Sequence, residues 1–205
     1  MKNKIELYHY SLSKDVYKDR LKSNFYKNSW PLHLHLERVE KPTVQFFMKQ
    51  IKKMDPELFW DCQSKLNDPD FETEYLNGPE SEMFMLTDNG RSVGFALVKS
   101  MPESLKNKFF AACNNENRPK AIEVNYLGLF NGEAGKKRGK SYFEMLFAQY
   151  FKDYDRVYWS QHSTNAPTLK KYYIEKMGME LHEIEIIEDF RPFEARNEAL
   201  KFAHS

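Results

Sequence analysis

The sequence predicts an α/β fold. Its sheet would be mixed, of the α+β kind, with helices on both faces. Segments in which apolar and polar residues alternate recur along the 205 residues, and segments with apolar residues at helical spacing lie between them. An Asn-Gly pair between two apolar runs marks a hairpin, and a glycine-rich basic segment joins a strand pattern to a helix pattern. Strands and helices in this order pack as layers, with the helices covering the sheet.

Composition bounds the class of protein. The chain is 41% hydrophobic and 15% aromatic, which excludes a disordered chain and favours one domain over 1–205. The formal net charge of +1 argues against a nucleic-acid-binding protein that relies on bulk charge. Cys62 and Cys113 lack the spacing of a disulfide scaffold, and no apolar run approaches the length of about 18 residues that a membrane helix needs. We therefore expect a cytoplasmic protein that binds neither nucleic acid nor membrane.

The first 54 residues contain two strand patterns and two helix patterns. They are a strand at Ile5–Tyr10, a helix capped by Ser13 with Tyr17, Leu21 and Phe25 on one face, a strand with Leu32, Leu34 and Leu36 on its inner side, and a helix at Thr43–Met54. His33 and His35 leave the second strand on one side, as two metal ligands could. No third ligand follows at a suitable spacing, so we interpret the pair as the solvent face of an outer strand.

The next segment contains a helix, a loop and a hairpin. Asp55-Pro56 opens a predicted helix with Phe59, Cys62 and Leu66 inside, and the polar stretch Asn67–Ser81 predicts a loop. Trp60 and Phe71 could line a cleft, although packing is the simpler interpretation. Asp88-Asn89-Gly90 predicts a hairpin between Met83–Thr87 and Ser92–Val98. A helix at Leu105–Ala112 is expected in the long connection Met101–Lys120, which could shape a binding site.

The centre of the chain is typical of phosphate binding. Ile122, Val124 and Tyr126 alternate with polar residues in a predicted strand, 121–130, in which Gly128 indicates a bulge or a close approach to the backbone. A glycine-rich basic loop, Gly132–Ser141, follows, and a helix pattern begins at Tyr142. Backbone N–H groups and the positive end of a helix attract phosphate. The glycine spacing fits neither G-x-x-x-x-G-K-[ST] nor G-x-G-x-x-G.

The last third of the chain predicts a strand, a helix and a second strand. Arg156–Gln161 is a buried strand pattern, and the helix pattern after it contains Tyr172 and Tyr173. Alternation in Met179–Asp189 slips at His182-Glu183, which predicts either a bulge or a break into two strands. Beyond Pro192, Phe193–Phe202 predicts a surface helix.

Two of these segments resemble the motifs of the GCN5-related N-acetyltransferase (GNAT) superfamily. The basic loop resembles motif A, Q/R-x-x-G-x-G/A, in two registers that start at Lys136 or at Arg138. The second register is preferred, although it places Ser141 and Phe143 where small residues are usual. Residues 162–179 resemble motif B. Asn165, Tyr173, Lys176, Gly178 and Met179 match in type, but one residue too many separates the tyrosine from the glycine.

The resemblance implies a GNAT-like fold and acetyl-CoA as cosubstrate. The cofactor-binding core would be 83–188. Residues 1–28 would be an N-terminal extension or the first strand and helix, and 190–205 a C-terminal helix. The motif-A and motif-B strands, 121–130 and 156–161, would run parallel and then part. The cofactor-binding residues implied are Leu127, Leu129, Lys136, Lys137, Arg138, Gly139, Lys140, Ser141, Tyr142, Asn165 and Lys176.

Acetyl transfer to an amine needs a base, an oxyanion donor and an acid. The resemblance points to Glu123 as the base and to a backbone N–H near Leu127–Gly128 as the oxyanion donor. Tyr173 is the candidate acid, with Tyr172 next, and His162 is an alternative base. Each has a plainer interpretation, because a glutamate at a strand start is commonly solvated and a tyrosine on an apolar helix face is commonly part of the core.

Two other functions fit the same residues. The chain could be a non-catalytic acyl-CoA-binding sensor or interaction module that keeps the fold, or a nucleotide-phosphate-binding protein that transfers no acyl group. The amine acceptor, the acyl chain and the oligomeric state, a homodimer included, stay open from sequence. No metal is implied.

Overall fold

The computed structural model describes residues 3–27, 29–55, 64–111, 118–133, 138–161 and 166–189. In these residues the strands are β1 (Asn3–Ser13), β2 (Leu34–Val39), β3 (Ser81–Asp88), β4 (Arg91–Ser100), β5 (Ala121–Leu129), β6 (Arg156–Gln161) and β7 (Glu180–Asp189). The α-helices are α1 (Lys14–Lys22), α2 (Val44–Met54), α3 (Glu103–Phe110), α4 (Arg138–Tyr150) and α5 (Ala166–Lys171). A 3₁₀-helix spans Ser64–Asn67, and π-helical turns span Phe71–Leu76 and Tyr172–Met177.

The predicted mixed sheet is confirmed. Its strand order is β2-β3-β4-β5-β6-β1-β7. β1 pairs antiparallel with both β6 and β7, β2 pairs antiparallel with β3, and β5 pairs parallel with β6. Helices lie on both faces of the strands around β1, since Phe109 of α3 contacts His9 and Phe147 of α4 contacts Trp159.

The chain divides into two compact units. The first comprises Met1–Trp30, Lys99–Asn125 and Glu144–Phe190, and the second comprises Pro31–Val98, Tyr126–Phe143 and Arg191–Ser205. In the first unit an aromatic core forms around Tyr17, Tyr26 and Phe147. In the second unit the core contains buried residues of α2, β4 and the first π-helical turn, namely Phe47, Ile51, Phe71, Leu76, Phe95 and Leu97.

Local signals placed several elements correctly. The Ser13 hydroxyl accepts the N–H group of Val16, so the predicted cap of α1 is confirmed. Thr43, predicted as the first residue of the next helix, is instead its N-cap, and its hydroxyl accepts the N–H group of Phe46. Asn89 and Gly90 both have positive φ angles, 52° and 73°, as the tight turn of a right-twisted hairpin requires.

The predicted slip in the last strand is also confirmed. Leu181 lies opposite Tyr10 and Glu183 lies opposite His9, so His182 is the extra residue of a β-bulge.

Other predictions were wrong. Leu32 does not belong to a strand; it lies in the turn before β2 and is 93% exposed. Leu66, predicted to be inside, is exposed. The predicted loop contains a π-helical turn, and Phe71 in that turn is buried, as the packing interpretation predicts. Phe25 follows α1, because Asn24 has a φ angle of 57°, which a helix cannot continue.

Some predictions lie outside the described residues. These are the helix opened by Pro56, with Phe59, Trp60 and Cys62; Cys113; Lys136 and Lys137; His162 and Asn165; and the C-terminal helix at Phe193–Phe202.

Gly94 allows the β4 and β5 backbones to lie close together, and Gly128 allows a side chain of α2 to approach β5. A Cβ atom on Gly94 would lie 2.3 Å from the carbonyl oxygen of Gly128, and a Cβ atom on Gly128 would lie 2.3 Å from the sulfur of Met54. The close approach that Gly128 indicated in the sequence is therefore made by the protein's own side chain.

We expect Gly94→Ala to lower the free energy of unfolding by about 2–3 kcal/mol, because the added methyl group meets backbone that cannot rotate away. Urea denaturation measures the change. Gly139→Ala is the control, since a Cβ atom there has no neighbour within 4 Å, and the added methyl group should stabilise α4 by up to about 1 kcal/mol. Equal losses in the two variants would show that the Gly94 contact does not limit packing.

Candidate active site

The parallel pairing of β5 with β6 covers only the first residues of each strand. Ala121 pairs with Arg156, Ile122 with Val157 and Glu123 with Tyr158. In the described part of the chain this ladder ends there, although β5 continues to Leu129 and β6 to Gln161. The predicted parallel arrangement of the two motif strands is confirmed, and the pairing ends where the resemblance implies that the strands part.

Glu123 is a buried carboxylate at the last of these pairs. It is 9% exposed and accepts a hydrogen bond from the Asn125 side chain, and the Lys99 ammonium lies near it. Burial raises the pKa of the Glu123 carboxyl, and the Asn125 hydrogen bond and the Lys99 charge offset this only in part. The interpretation of Glu123 as a solvated strand start does not fit this burial.

Tyr158 and His9 lie on the same face of the sheet as Glu123. Glu123 and Tyr158 are register partners, and the Glu123 charge contributes to a raised pKa of Tyr158, of which burial is the main cause. The Tyr158 hydroxyl lies 2.6 Å from His9 Nδ1. Neither residue stands out in the sequence. The only signal was one histidine among the aromatic residues of the first strand pattern.

The two candidate acids differ in exposure. Tyr173 is 8% exposed, and its ring contacts those of Tyr10 and Trp159, whereas Tyr172 is 36% exposed. Tyr10 and His9 are neighbours on β1, so their side chains leave opposite faces of the sheet. Tyr173 therefore lies across the sheet from Glu123 and Tyr158.

The Tyr173 hydroxyl accepts a hydrogen bond from the Gln161 amide and keeps its own proton for another acceptor. Burial raises the pKa of Tyr173 to about 12, although the Gln161 hydrogen bond lowers it. The hydroxyl is therefore protonated at neutral pH. The choice between Tyr173 and Tyr172 as the acid stays a prediction.

The extra residue between Tyr173 and Gly178 is taken up by a π-helical turn. Tyr172–Met177 is wound with the wider i to i+5 spacing, which adds one residue to a helix without shifting the residues after the turn. Gly178 then ends the helix at a φ angle of 76°, and a Cβ atom there would lie 2.7 Å from Val16. Lys176, a predicted cofactor ligand in this turn, has an exposed side chain.

The helix after the basic loop begins earlier than predicted. α4 starts at Arg138, so Gly139, Lys140 and Ser141 lie in its first turn and not in the loop. A Cβ atom on Gly139 would meet no atom within 4 Å. The first N–H groups of a helix have no partner within it, and space beside them suits an anion.

Arg138 and Tyr142 have structural partners. The Arg138 guanidinium lies 3.0 Å from Asp88 and 3.0 Å from Glu133, which also binds Arg91 at 2.6 Å. Two acids thus offset the charge of two arginines. Tyr142 is fully buried and its hydroxyl donates to the Thr87 carbonyl at 2.7 Å, so only its backbone is placed for a ligand. Leu127 and Leu129 are half-buried on β5, and their predicted roles and the oxyanion donor stay predictions.

The described residues contain no group of three or more histidine, cysteine, aspartate or glutamate side chains arranged to hold a metal ion. His33 and His35 are exposed near the start of β2, the first strand in the sheet order. Within the same residues no helix combines the length and the apolar character needed to cross a bilayer.

Comparison with solved structures identifies the fold. A tandem GNAT protein from the clavulanic acid biosynthesis pathway, solved without acetyl-CoA, superposes with a TM-score of 0.53 at 12% identity, over 90% of this chain and 53% of its own. The chain has the GNAT fold. At this identity the similarity concerns the fold alone.

Two further structures superpose comparably. One is a functionally unknown conserved protein from Staphylococcus epidermidis, with a TM-score of 0.53 and 11% identity over 90% of this chain and 61% of that one. The other is an integron cassette protein from the mobile metagenome of V. cholerae. It superposes with a TM-score of 0.52 at 15% identity, over 83% of this chain and 99% of that one. The chain thus spans 61% and 53% of the length of the Staphylococcus protein and the tandem GNAT protein. No family profile and no curated protein sequence matches it.

We expect Glu123→Gln to raise the melting temperature at about pH 8. The folded-state pKa of Glu123 is raised, so ionisation favours the unfolded chain as the pH rises above the ordinary glutamate pKa of about 4.3. The gain should shrink as the pH falls towards about 4, where the carboxyl is neutral in both states.

Glu103→Gln is the matched control of opposite sign, because the Lys106 hydrogen bond lowers the pKa of the exposed Glu103. It should lower the melting temperature slightly at the higher pH. A Glu123→Gln gain that does not vary with pH would mean that charge burial is not its cause.

Proposed function

We propose that the protein is an N-acetyltransferase that moves an acetyl group from acetyl-CoA to an amine by direct attack through a tetrahedral intermediate. The observation that carries this proposal is the register of β5 and β6, a parallel pair that ends at a buried carboxylate with a raised pKa. The GNAT fold supports it.

Glu123 is the base in this proposal. A typical acceptor amine has a pKa of about 10 and arrives protonated at neutral pH, so it cannot attack before it loses a proton. A carboxylate whose pKa is raised by burial accepts a proton more readily than an exposed one. The position of the side chain, on the face of the sheet that Tyr158 shares, sets the side from which the amine arrives.

Tyr173 is the acid that protonates the leaving thiolate. Its hydroxyl accepts from Gln161 and has a proton to give, and its raised pKa keeps that proton in place until a strong base forms. Its position across the sheet from Glu123 suits direct transfer, because the amine and the thiolate occupy different sides of the carbonyl carbon. No acyl-enzyme intermediate is needed.

The first turn of α4 holds the pyrophosphate. Its backbone N–H groups and Lys140 supply the attraction, and Gly139 leaves room for the phosphate to approach. Arg138 contributes less charge than the motif implies, since Asp88 and Glu133 offset it. Lys136, Lys137, Ser141, Asn165, Leu127 and Leu129 complete the proposed contacts.

Release of free CoA from acetyl-CoA, measured with a panel of amines, tests the function. Release that depends on an amine supports the transferase. A rise in melting temperature with acetyl-CoA but no release with any amine would favour a non-catalytic acyl-CoA-binding protein. Stabilisation by ATP but not by CoA would favour a nucleotide-binding protein.

Gly139→Val separates the phosphate site from stability. A Cβ atom at this position would have no neighbour within 4 Å among the described residues outside its own turn of helix, so we expect the melting temperature of the free protein to stay within about 2 °C of the parent value. The same side chain should occupy the space of the phosphate and weaken acetyl-CoA binding by about ten-fold or more in calorimetry. Unchanged affinity in a folded variant would place the pyrophosphate elsewhere.

Tyr173→Phe should lower turnover by about 100-fold while the affinity for acetyl-CoA stays the same, because only a proton given in the transition state is lost. Tyr172→Phe is the matched control and should be nearly silent, since this side chain faces solvent. The opposite pattern would make Tyr172 the acid. Full activity in both variants would show that the thiolate leaves without help from either tyrosine.

A further inference from the structure

A chain of hydrogen bonds crosses three strands beside the candidate base. The Tyr158 hydroxyl on β6 lies 2.6 Å from His9 Nδ1 on β1, and His9 Nε2 lies 3.1 Å from a carboxylate oxygen of Glu185 on β7. Glu123 on β5 is the register partner of Tyr158. The four side chains thus form one row across four adjacent strands, on one face of the sheet.

The partners assign the protons. An ionised Glu185 carboxylate can only accept, so His9 carries its proton on Nε2 and its Nδ1 is an acceptor. Tyr158 therefore donates its O–H to Nδ1. The Ser160 hydroxyl donates in turn to the Tyr158 oxygen, so every bond in the row points the same way.

The row is buried at one end and reaches solvent at the other. His9 is 3% exposed, Tyr158 is also buried, and the Phe109 ring packs against both. The Glu185 side chain is 44% exposed. The charged or titratable groups around His9 are Tyr158, Glu183, Glu185, His182 and Lys108, and the Lys108 ammonium binds Glu183 at 2.5 Å and lies 3.8 Å from Glu185.

We infer that Tyr158, His9 and Glu185 form a proton relay that returns Glu123 to its carboxylate form after each transfer. This rests on the proposed function. Glu123 gives the proton taken from the amine to the Tyr158 oxygen, while the Tyr158 proton moves to His9 Nδ1. The Nε2 proton moves to the Glu185 carboxylate and from there to water. One O–H or N–H bond breaks for each that forms, and no other reactant is needed. The pass leaves His9 with its proton on Nδ1, so the His9 ring and the Tyr158 hydroxyl must reorient to restore the starting hydrogen bonds before the next transfer.

The relay solves a problem that burial creates. A buried carboxyl with a raised pKa takes a proton readily but has little contact with water to which it could return it. Tyr158, His9 and Glu185 are positioning and transfer residues in this scheme, and Glu123 alone meets the amine. A purely structural row would need the same hydrogen bonds but would not change the pH dependence of turnover.

The test compares CoA release by the full chain, from about pH 6 to about pH 10, for the parent protein, Glu185→Gln and His9→Gln. Glutamine at 185 can still bind His9 but cannot take its proton. We expect the rate of CoA release to fall by about ten-fold or more in both variants at neutral pH. This loss of rate should become smaller as the pH rises towards the amine pKa, because the amine then arrives neutral.

Glu183→Gln is the matched control. Glu183 is about as exposed as Glu185 and also pairs with Lys108, but it makes no hydrogen bond to His9 in the described structure. It should keep the parent profile. The solvent deuterium effect on turnover should change in the relay variants and not in this control.

Long-range proton–nitrogen NMR correlations of the parent protein provide an assay that needs neither a variant nor a substrate. They should show the His9 proton on Nε2. A proton on Nδ1 instead, or a loss of rate that is constant across pH, would overturn the relay even if the protein is a transferase. Absence of CoA release from the parent protein with every amine would overturn the proposed function, and the relay with it.

Discussion

The position of the candidate base depends on Asp155, which fixes where β5 and β6 start. Its N–H donates to the Lys120 carbonyl at 2.8 Å, its carboxylate accepts the Lys120 N–H at 2.9 Å, and its carbonyl accepts the Lys14 N–H at 2.8 Å. Side chains alternate along a strand, so a shift of one residue would move Glu123 to the opposite face. There it would meet the aromatic cluster of Tyr10 and Trp159.

On the other side of β1, the bulge at His182 fixes which residues of β7 lie opposite His9. Without an extra residue, Leu181, Glu183 and Glu185 would share one face of β7. The bulge leaves Leu181 opposite Tyr10 and places Glu183 opposite His9. Two acidic residues are thereby moved to the face of His9 and Tyr158, and His182 itself binds the Ser11 hydroxyl at 2.8 Å. A local irregularity in the backbone thus determines which side chains of β7 lie beside His9.

Local signals predicted the parts of the fold that local forces decide. The Asn89-Gly90 turn, the Ser13 helix cap and the slip at His182 are confirmed, because each follows from the backbone preferences of a few neighbouring residues. The burial of Leu32 and Leu66 was wrongly predicted, since burial depends on distant partners. His9 contacts residues 149 and 176 positions away in the chain, and a pattern read along the sequence contains no trace of such contacts. For the same reason, the acids that offset Arg138 could not be foreseen.

The ion pairs around Arg138 and the surroundings of Glu123 are built differently, and the contrast bears on the proposed function. Around Arg138, two positive groups are paired with two negative groups, namely Arg91 and Arg138 with Asp88 and Glu133. Charges away from water that stabilise a structure are paired in this way. The charge of Glu123 is less completely offset than those around Arg138. The Asn125 amide and the Lys99 ammonium lower the pKa of Glu123 by less than burial raises it. Stability alone would favour glutamine at this position. A carboxyl with a raised pKa at the last pair of the β5–β6 ladder, with a hydrogen-bonded row leading from its neighbour to solvent, suits the proton transfer that we propose.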